Sequence, residues 1–261
     1  MVYLASVNGI EMEYTRFGQG SKIFVILPGL SLKSVMLSAD AVASAYSMFA
    51  SDYTVYLFDR RKNLPDSYSI AEMADDTAAV MQFLGISDAY VFGASQGGMI
   101  GLSLAVSHPS LVKKLIVGSS AADLNAKAES VVQHWITLAE QHQCDALIED
   151  TVNKIYAPAT VSQYGEMLKA GSSPLTDAEL SRFLTLAKGC AGFNLLPQLH
   201  TVRCTVLVLG CEGDKVLSAD ASRRIADALH CESFFYGEEF GHGVYDEAPD
   251  YKSRILSFFE A

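Results

Sequence analysis

Serine, histidine and aspartate turn a hydroxyl into a nucleophile when they lie within hydrogen-bond reach of one another. Ser95 sits in Gly93-Ala94-Ser95-Gln96-Gly97-Gly98, at the end of an apolar run and directly before a helical pattern. A Gly-x-Ser-x-Gly turn between strand and helix is tight, and its glycines are needed because side chains there would strike the neighbouring strand and helix. The hydroxyl is then exposed at the head of a helix whose amide dipoles point towards it. Outside that context, the glycines would only shape a turn around an ordinary serine.

A serine hydroxyl needs a base, and the chain has six histidines. His108 ends a helix, His134 and His142 fall in a long helical stretch, and His200 and His230 sit near element ends. His242 differs: in Phe240-Gly241-His242-Gly243 it follows the last predicted strand, with a glycine on each side. It is the candidate base. The base needs an acid to fix its tautomer. Asp214, four residues past Gly210 at the end of a buried strand, is the first candidate, with Glu212 and Asp123 as rivals and Asp220 read as a helix cap. A tetrahedral intermediate also needs N–H donors for its oxyanion. The Gln96 amide opens the helix after Ser95, and the Leu30 amide in Pro28-Gly29-Leu30-Ser31 follows another strand end.

These residues are useful only if strands and helices bring them to one edge. The periodicity predicts strands at 2–7 and 10–17 around the Asn8-Gly9 turn, then at 22–28, 54–59, 89–94, 114–119, 205–210 and 233–237. Helices are predicted over 33–50, after the Ser69 cap, over 97–106, 219–230 and 247–260. Alternation of this kind implies an α/β chain with a mostly parallel sheet of eight strands and helices on both faces. In such sheets ligands bind beyond the carboxyl ends of the strands. Residues 121–187 carry helical patterns without a strand, broken once at Gly171-Ser172-Ser173-Pro174. They read as an insertion between two parts of one core, 1–120 and 188–261.

Half of the 261 residues are hydrophobic, enough for a sizeable core, and the net charge of −11 argues against nucleic acid as a partner. No apolar stretch reaches the roughly 18 residues of a membrane helix. The run MVYLASVNGIEMEY lacks a basic start, so no secretory signal is expected. Five cysteines (144, 190, 204, 211 and 231) show no paired metal spacing and suggest reduced thiols in a cytoplasmic protein. No metal or organic cofactor is expected, because serine and histidine supply nucleophile and base.

With Leu27-Pro28-Gly29, the serine turn, Gly213-Asp214 and Gly241-His242 in place, the chain resembles the α/β-hydrolase superfamily almost end to end. It looks most like small, lidded, cofactor-free esterases, enol-lactonases and carbon–carbon bond hydrolases. The resemblance implies Ser95 as nucleophile, His242 as base, Asp214 as acid, the Leu30 and Gln96 amides as oxyanion hole, and 121–187 as a helical lid. Many members carry His-Gly where this chain has Pro28-Gly29, which puts the support of the oxyanion loop in question. Asp59 and Arg60 look like the end of the family's second core strand and are given no catalytic role.

The function expected is hydrolysis of a small to medium, largely apolar ester or lactone. The alternatives are carbon–carbon bond hydrolysis, aminopeptidase or thioesterase activity, or ligand binding without turnover. Trp135 in the lid and Met99 beside the serine are the expected pocket residues. The partner expected is a small-molecule substrate, with no membrane association, and the chain a monomer or homodimer.

Overall fold

The computed structural model describes residues 1–261. Its strands are β1 (Val2–Val7), β2 (Ile10–Phe17), β3 (Lys22–Leu27), β4 (Tyr53–Arg61), β5 (Ala89–Ala94), β6 (Val112–Gly118), β7 (Thr205–Cys211) and β8 (Glu232–Tyr236). They form one eight-stranded sheet in the order β1-β2-β4-β3-β5-β6-β7-β8. β1 and β2 pair antiparallel, β2 lies antiparallel to β4, and all pairs from β4 to β8 are parallel. The β1–β2 hairpin turns at Asn8 and Gly9, whose φ values of 52° and 77° are the positive pair a two-residue turn of this hand requires.

The helices are α1 (Ala39–Ala45), α2 (Ile70–Phe83), α3 (Gln96–Ser107), α4 (Ala126–Glu140), α5 (Cys144–Ile155), α6 (Pro158–Ser172), α7 (Asp177–Lys188), α8 (Ala219–Leu229), α9 (Val244–Glu247) and α10 (Tyr251–Glu260). The pleat divides the core between the two faces of the sheet. On β3, Val25 and Leu27 enter one apolar cluster and Phe24 and Ile26 the other. α3 is buried from Gln96 to Ala105, as befits a helix that is apolar all round. α2 starts at a capping box in which Ser69 and Glu72 bond each other's backbone amides.

Two helical predictions need correction. Residues 33–50 do not make one helix: a 3-10 turn (Val35–Ser38), α1 and a second 3-10 turn (Ser47–Phe49) share the segment. Ser34 caps the first 3-10 turn, accepting the Met36 amide on its Oγ at 3.2 Å, so the helical segment begins after it rather than at 33. The last predicted helix starts later than 247: Pro249 holds Ala248 extended (φ −82°, ψ 124°), so α10 begins at Tyr251 and the short α9 stands before it.

Between β6 and β7 the chain runs through α4–α7. The segments entering and leaving these helices are tied together by the Asp123–Asn194 bridge and by Leu195 N–H to Ala122 O at 2.7 Å. No helix is long and apolar enough to cross a membrane.

Candidate active site

Ser95 joins β5 to α3 at φ 54° and ψ −121°, a conformation that costs an L-residue about 1–3 kcal/mol. The surroundings enforce it. A Cβ on Gly97 would lie inside the Leu27 carbonyl, and one on Gly93 inside the Gly97 carbonyl. The Ser95 amide donates to Gly118 O at 2.9 Å, and the Ser120 hydroxyl donates to Ser95 O at 2.7 Å. The backbone is thus bonded on both sides.

Asp214 follows β7 and His242 follows β8, so with Ser95 after β5 all three leave the same edge of the parallel strands. His242 Nδ1 lies 2.8 Å from Asp214 Oδ2, and the two residues are 3% and 4% exposed. The other carboxylate oxygen accepts the Val216 and Leu217 amides at 2.8 and 2.9 Å. Burial acts to raise the Asp214 pKa, but the charge and hydrogen bond of His242 and the two amides outweigh it, and the carboxyl is held below the ordinary aspartate value. The His242 loop is fixed as well. Gly241 N–H donates to Glu247 Oε2 at 2.6 Å, Ala157 N–H to Glu247 Oε1 at 2.8 Å, and Gly243 N–H to Ile155 O at 2.7 Å. Glu247 had no signal in the sequence.

The rival residues are engaged elsewhere. Glu212 pairs with Arg223, and Asp123 with Arg224 at 2.5 Å. His108 bonds Asp75 at 2.7 Å, His200 bonds Pro197 O at 2.9 Å, and His230 is the left-handed C-cap of α8. His142 lies 3.6 Å from Asp177, and His134 is exposed. Cys211 donates to Phe240 O at 3.1 Å, and burial pushes its thiol up to about 11. All five cysteines are free thiols, and no three His, Cys, Asp or Glu side chains gather as a metal ion would need.

Gly29 packs against Ser95, where a Cβ would stand 3.2 Å from the serine Cβ. The Leu30 amide beside it donates to no protein acceptor, and the Gln96 amide, first in α3, has no helical one. The carbonyl before Gly29 is held by a residue the sequence reading set aside: Arg60 Nη2 donates to Pro28 O at 2.7 Å. Leu30 also lines a cavity of about 390 Å³, with Trp135, Tyr156, Leu168, Phe183 and Tyr245 among its walls. Trp135 is fixed there by an Nε1–H bond to Asp150 at 2.8 Å. Met99 is 2% exposed, lies in the main apolar core and is not among that cavity's walls.

Residues 22–249 match the family described as alpha/beta hydrolase fold. A protein of Serratia proteamaculans named "Putative carbamate hydrolase RutD" is 49% identical over 202 residues, covering 74% of this chain and 73% of its own. One of the same name from Caulobacter sp. is 26% identical over 250 residues, covering 88% and 92%. The crystal structure of an enol-lactonase from Burkholderia xenovorans superposes with a TM-score of 0.86 at 18% identity, covering 99% of this chain and 100% of its own. The chain is a hydrolase and belongs to the α/β-hydrolase fold family.

Proposed function

We propose that the protein is a serine hydrolase that cleaves a small to medium, largely apolar carboxylic ester or lactone through an acyl-enzyme on Ser95. The observation that carries the reading is a serine held in a strained turn at the sheet edge that also bears the buried His242–Asp214 pair. With Nδ1 committed to Asp214, Nε2 is the ring nitrogen left to move a proton.

In this mechanism His242 Nε2 takes the Ser95 proton as Oγ bonds the substrate carbonyl carbon. The carbonyl electron pair moves to oxygen, where the Leu30 and Gln96 amides receive it. The bond to the leaving oxygen then breaks as His242 returns the proton to it. Water, deprotonated by the same nitrogen, attacks the acyl-enzyme and releases the acid and free Ser95. In a lactone the leaving alcohol stays tethered to the acyl group. The helices of residues 121–187 act as a lid that excludes bulk water, with 1–120 and 188–261 as the catalytic core. The walls of the Leu30–Trp135 cavity suit an apolar acyl or alkyl group.

A second reading, carbamate cleavage by the same residues, is favoured by the names of the relatives from Serratia proteamaculans and Caulobacter sp.. The experiment has two stages. An active-site-directed fluorophosphonate should modify Ser95, as mapped by mass spectrometry, and should fail with Ser95→Ala and His242→Ala. A panel of esters, lactones, thioesters and carbamates then fixes the bond cleaved. A folded Ser95→Ala enzyme that keeps its turnover refutes the mechanism.

A further inference from the structure

We infer that Arg60 is a positioning residue for the oxyanion hole, one guanidinium nitrogen bracing both segments that carry the donors; this rests on the reading of Ser95 as nucleophile. Arg60 lies near the end of β4 and is 5% exposed. Its Nη2 carries two hydrogens and faces two acceptors: Pro28 O at 2.7 Å and Gln96 Oε1 at 3.2 Å. The first fixes the peptide plane leading into Gly29 and Leu30. The second fixes the residue whose own amide opens α3. The two donors thereby share one anchor, although 66 positions separate Leu30 from Gln96 (96 − 30).

Asp59 completes the brace. Its Oδ1 accepts the Arg60 amide at 2.8 Å and Arg182 Nη2 at 2.5 Å, and its Oδ2 accepts the Ser34 hydroxyl at 2.5 Å. The loop holding Leu30 is therefore tied at both ends to consecutive residues of β4, at Pro28 through Arg60 and at Ser34 through Asp59. Between those ties the Leu30 amide has no protein acceptor to orient it. An oxyanion hole works only when its donors stand in place before charge develops, because reorientation during the reaction would consume the gain. Burial draws the Arg60 pKa down to about 10, with Asp59 opposing, so the group is charged at neutral pH. Nothing places Arg60 against substrate; it acts through the loop and through Gln96.

The test compares Arg60→Met and Arg60→Lys with the wild type on an ester the wild type hydrolyses. Ile255→Ala, a fully buried α10 change, serves as a control for destabilisation alone. With Arg60→Met, kcat should fall about 100-fold, at the lower end of the loss from removing one oxyanion donor, while KM moves less than threefold. The affinity of a trifluoromethyl ketone, which forms a tetrahedral oxyanion on serine, should fall by the same factor, and that of the product acid should hold. Arg60→Lys keeps the charge and a donor and should recover about tenfold. Ile255→Ala should lower Tm and leave kcat and ketone affinity within threefold. Wild-type kcat and ketone affinity in folded Arg60→Met or Arg60→Lys overturn the inference and leave the Ser95 reading intact. If Arg60→Met does not fold, Arg60→Lys decides: an unchanged ketone affinity overturns the inference, and a loss confined to kcat and ketone affinity supports it. A wild type that neither labels at Ser95 nor turns over any ester overturns both.

Discussion

Replacing Asp214 by asparagine removes a charge while keeping nearly the same shape, and the hydrogen bonds say which way the new amide must face. Oδ1 of Asp214 accepts two buried backbone amides, Val216 and Leu217, and Oδ2 faces His242 Nδ1. An NH2 group turned towards the two amides would leave both unpaired, at about 1–3 kcal/mol each. The asparagine oxygen therefore stays with them and its NH2 points at His242. Nδ1 must then accept, the ring proton moves to Nε2, and that nitrogen cannot take a proton from Ser95. The reactive tautomer costs one lost hydrogen bond plus a donor–donor contact, and the imidazolium that forms no longer has a carboxylate beside it. Together these come to about 4–5.5 kcal/mol, or about 10³- to 10⁴-fold in kcat at about 1.36 kcal/mol per tenfold. The assay is steady-state ester hydrolysis, with the rate of fluorophosphonate labelling as a second measure. A folded Asp214→Asn enzyme within tenfold of wild type would show that His242 does not depend on this carboxylate, and would refute the assignment of acid and base together. The same variant makes a stability prediction. The folded-state pKa of Asp214 is depressed, so its ionised form contributes stability above the unfolded value of about 4 and loses that contribution as pH falls through the folded value. The gap in denaturation midpoint between wild type and Asp214→Asn should accordingly be at full width above about pH 5 and narrow as pH falls below about 4.

Other substitutions separate packing from chemistry. Gly97→Ala places a methyl inside the Leu27 carbonyl and should cost about 1–3 kcal/mol or more by urea denaturation, whereas Gly171→Ala meets nothing within 4 Å and should be neutral or stabilising. Trp135→Phe deletes the bond to Asp150 and should cost about 1 kcal/mol. Trp135→Ala opens the cavity and should shift the acyl-chain profile towards longer esters; an unchanged profile removes Trp135 from the substrate wall. Arg182→Met breaks the pair between α7 and Asp59 and should lower stability by about 1.5–3 kcal/mol, and an unchanged denaturation midpoint would mean the pair is solvated in solution.

What the sequence disclosed was local. Ser95 stood out because the glycines that permit its backbone lie within two positions of it, and His242 because glycines flank it. The eight strands were legible because each is a continuous or alternating apolar run, a signal carried within a few residues. The segment at 33–50 was misread in part because its apolar content masks Ser34, whose partner lies elsewhere: its hydroxyl reaches Asp59, 25 positions away.

Arg60 was passed over for the same reason on a larger scale. Its acceptors are 32 and 36 residues distant, and only the parallel pairing that sets β4 beside β3, and β3 beside β5, brings them together. The departure at Pro28 looked like a missing support because the support was sought in the adjacent residue. A proline has no N–H to give, but its carbonyl is a strong acceptor, and a buried arginine from the next strand meets it. The brace also extends beyond the sheet. Gln96 Nε2 donates to Leu186 O at 2.8 Å, and Asp59 accepts from Arg182, so α7 is bonded to both halves of the proposed oxyanion site. The inserted helices and the oxyanion donors are then not independent parts. A change in α7 that shifts Leu186 must either drag the Gln96 side chain with it or leave a buried amide unpaired, and both outcomes would be felt beside Ser95.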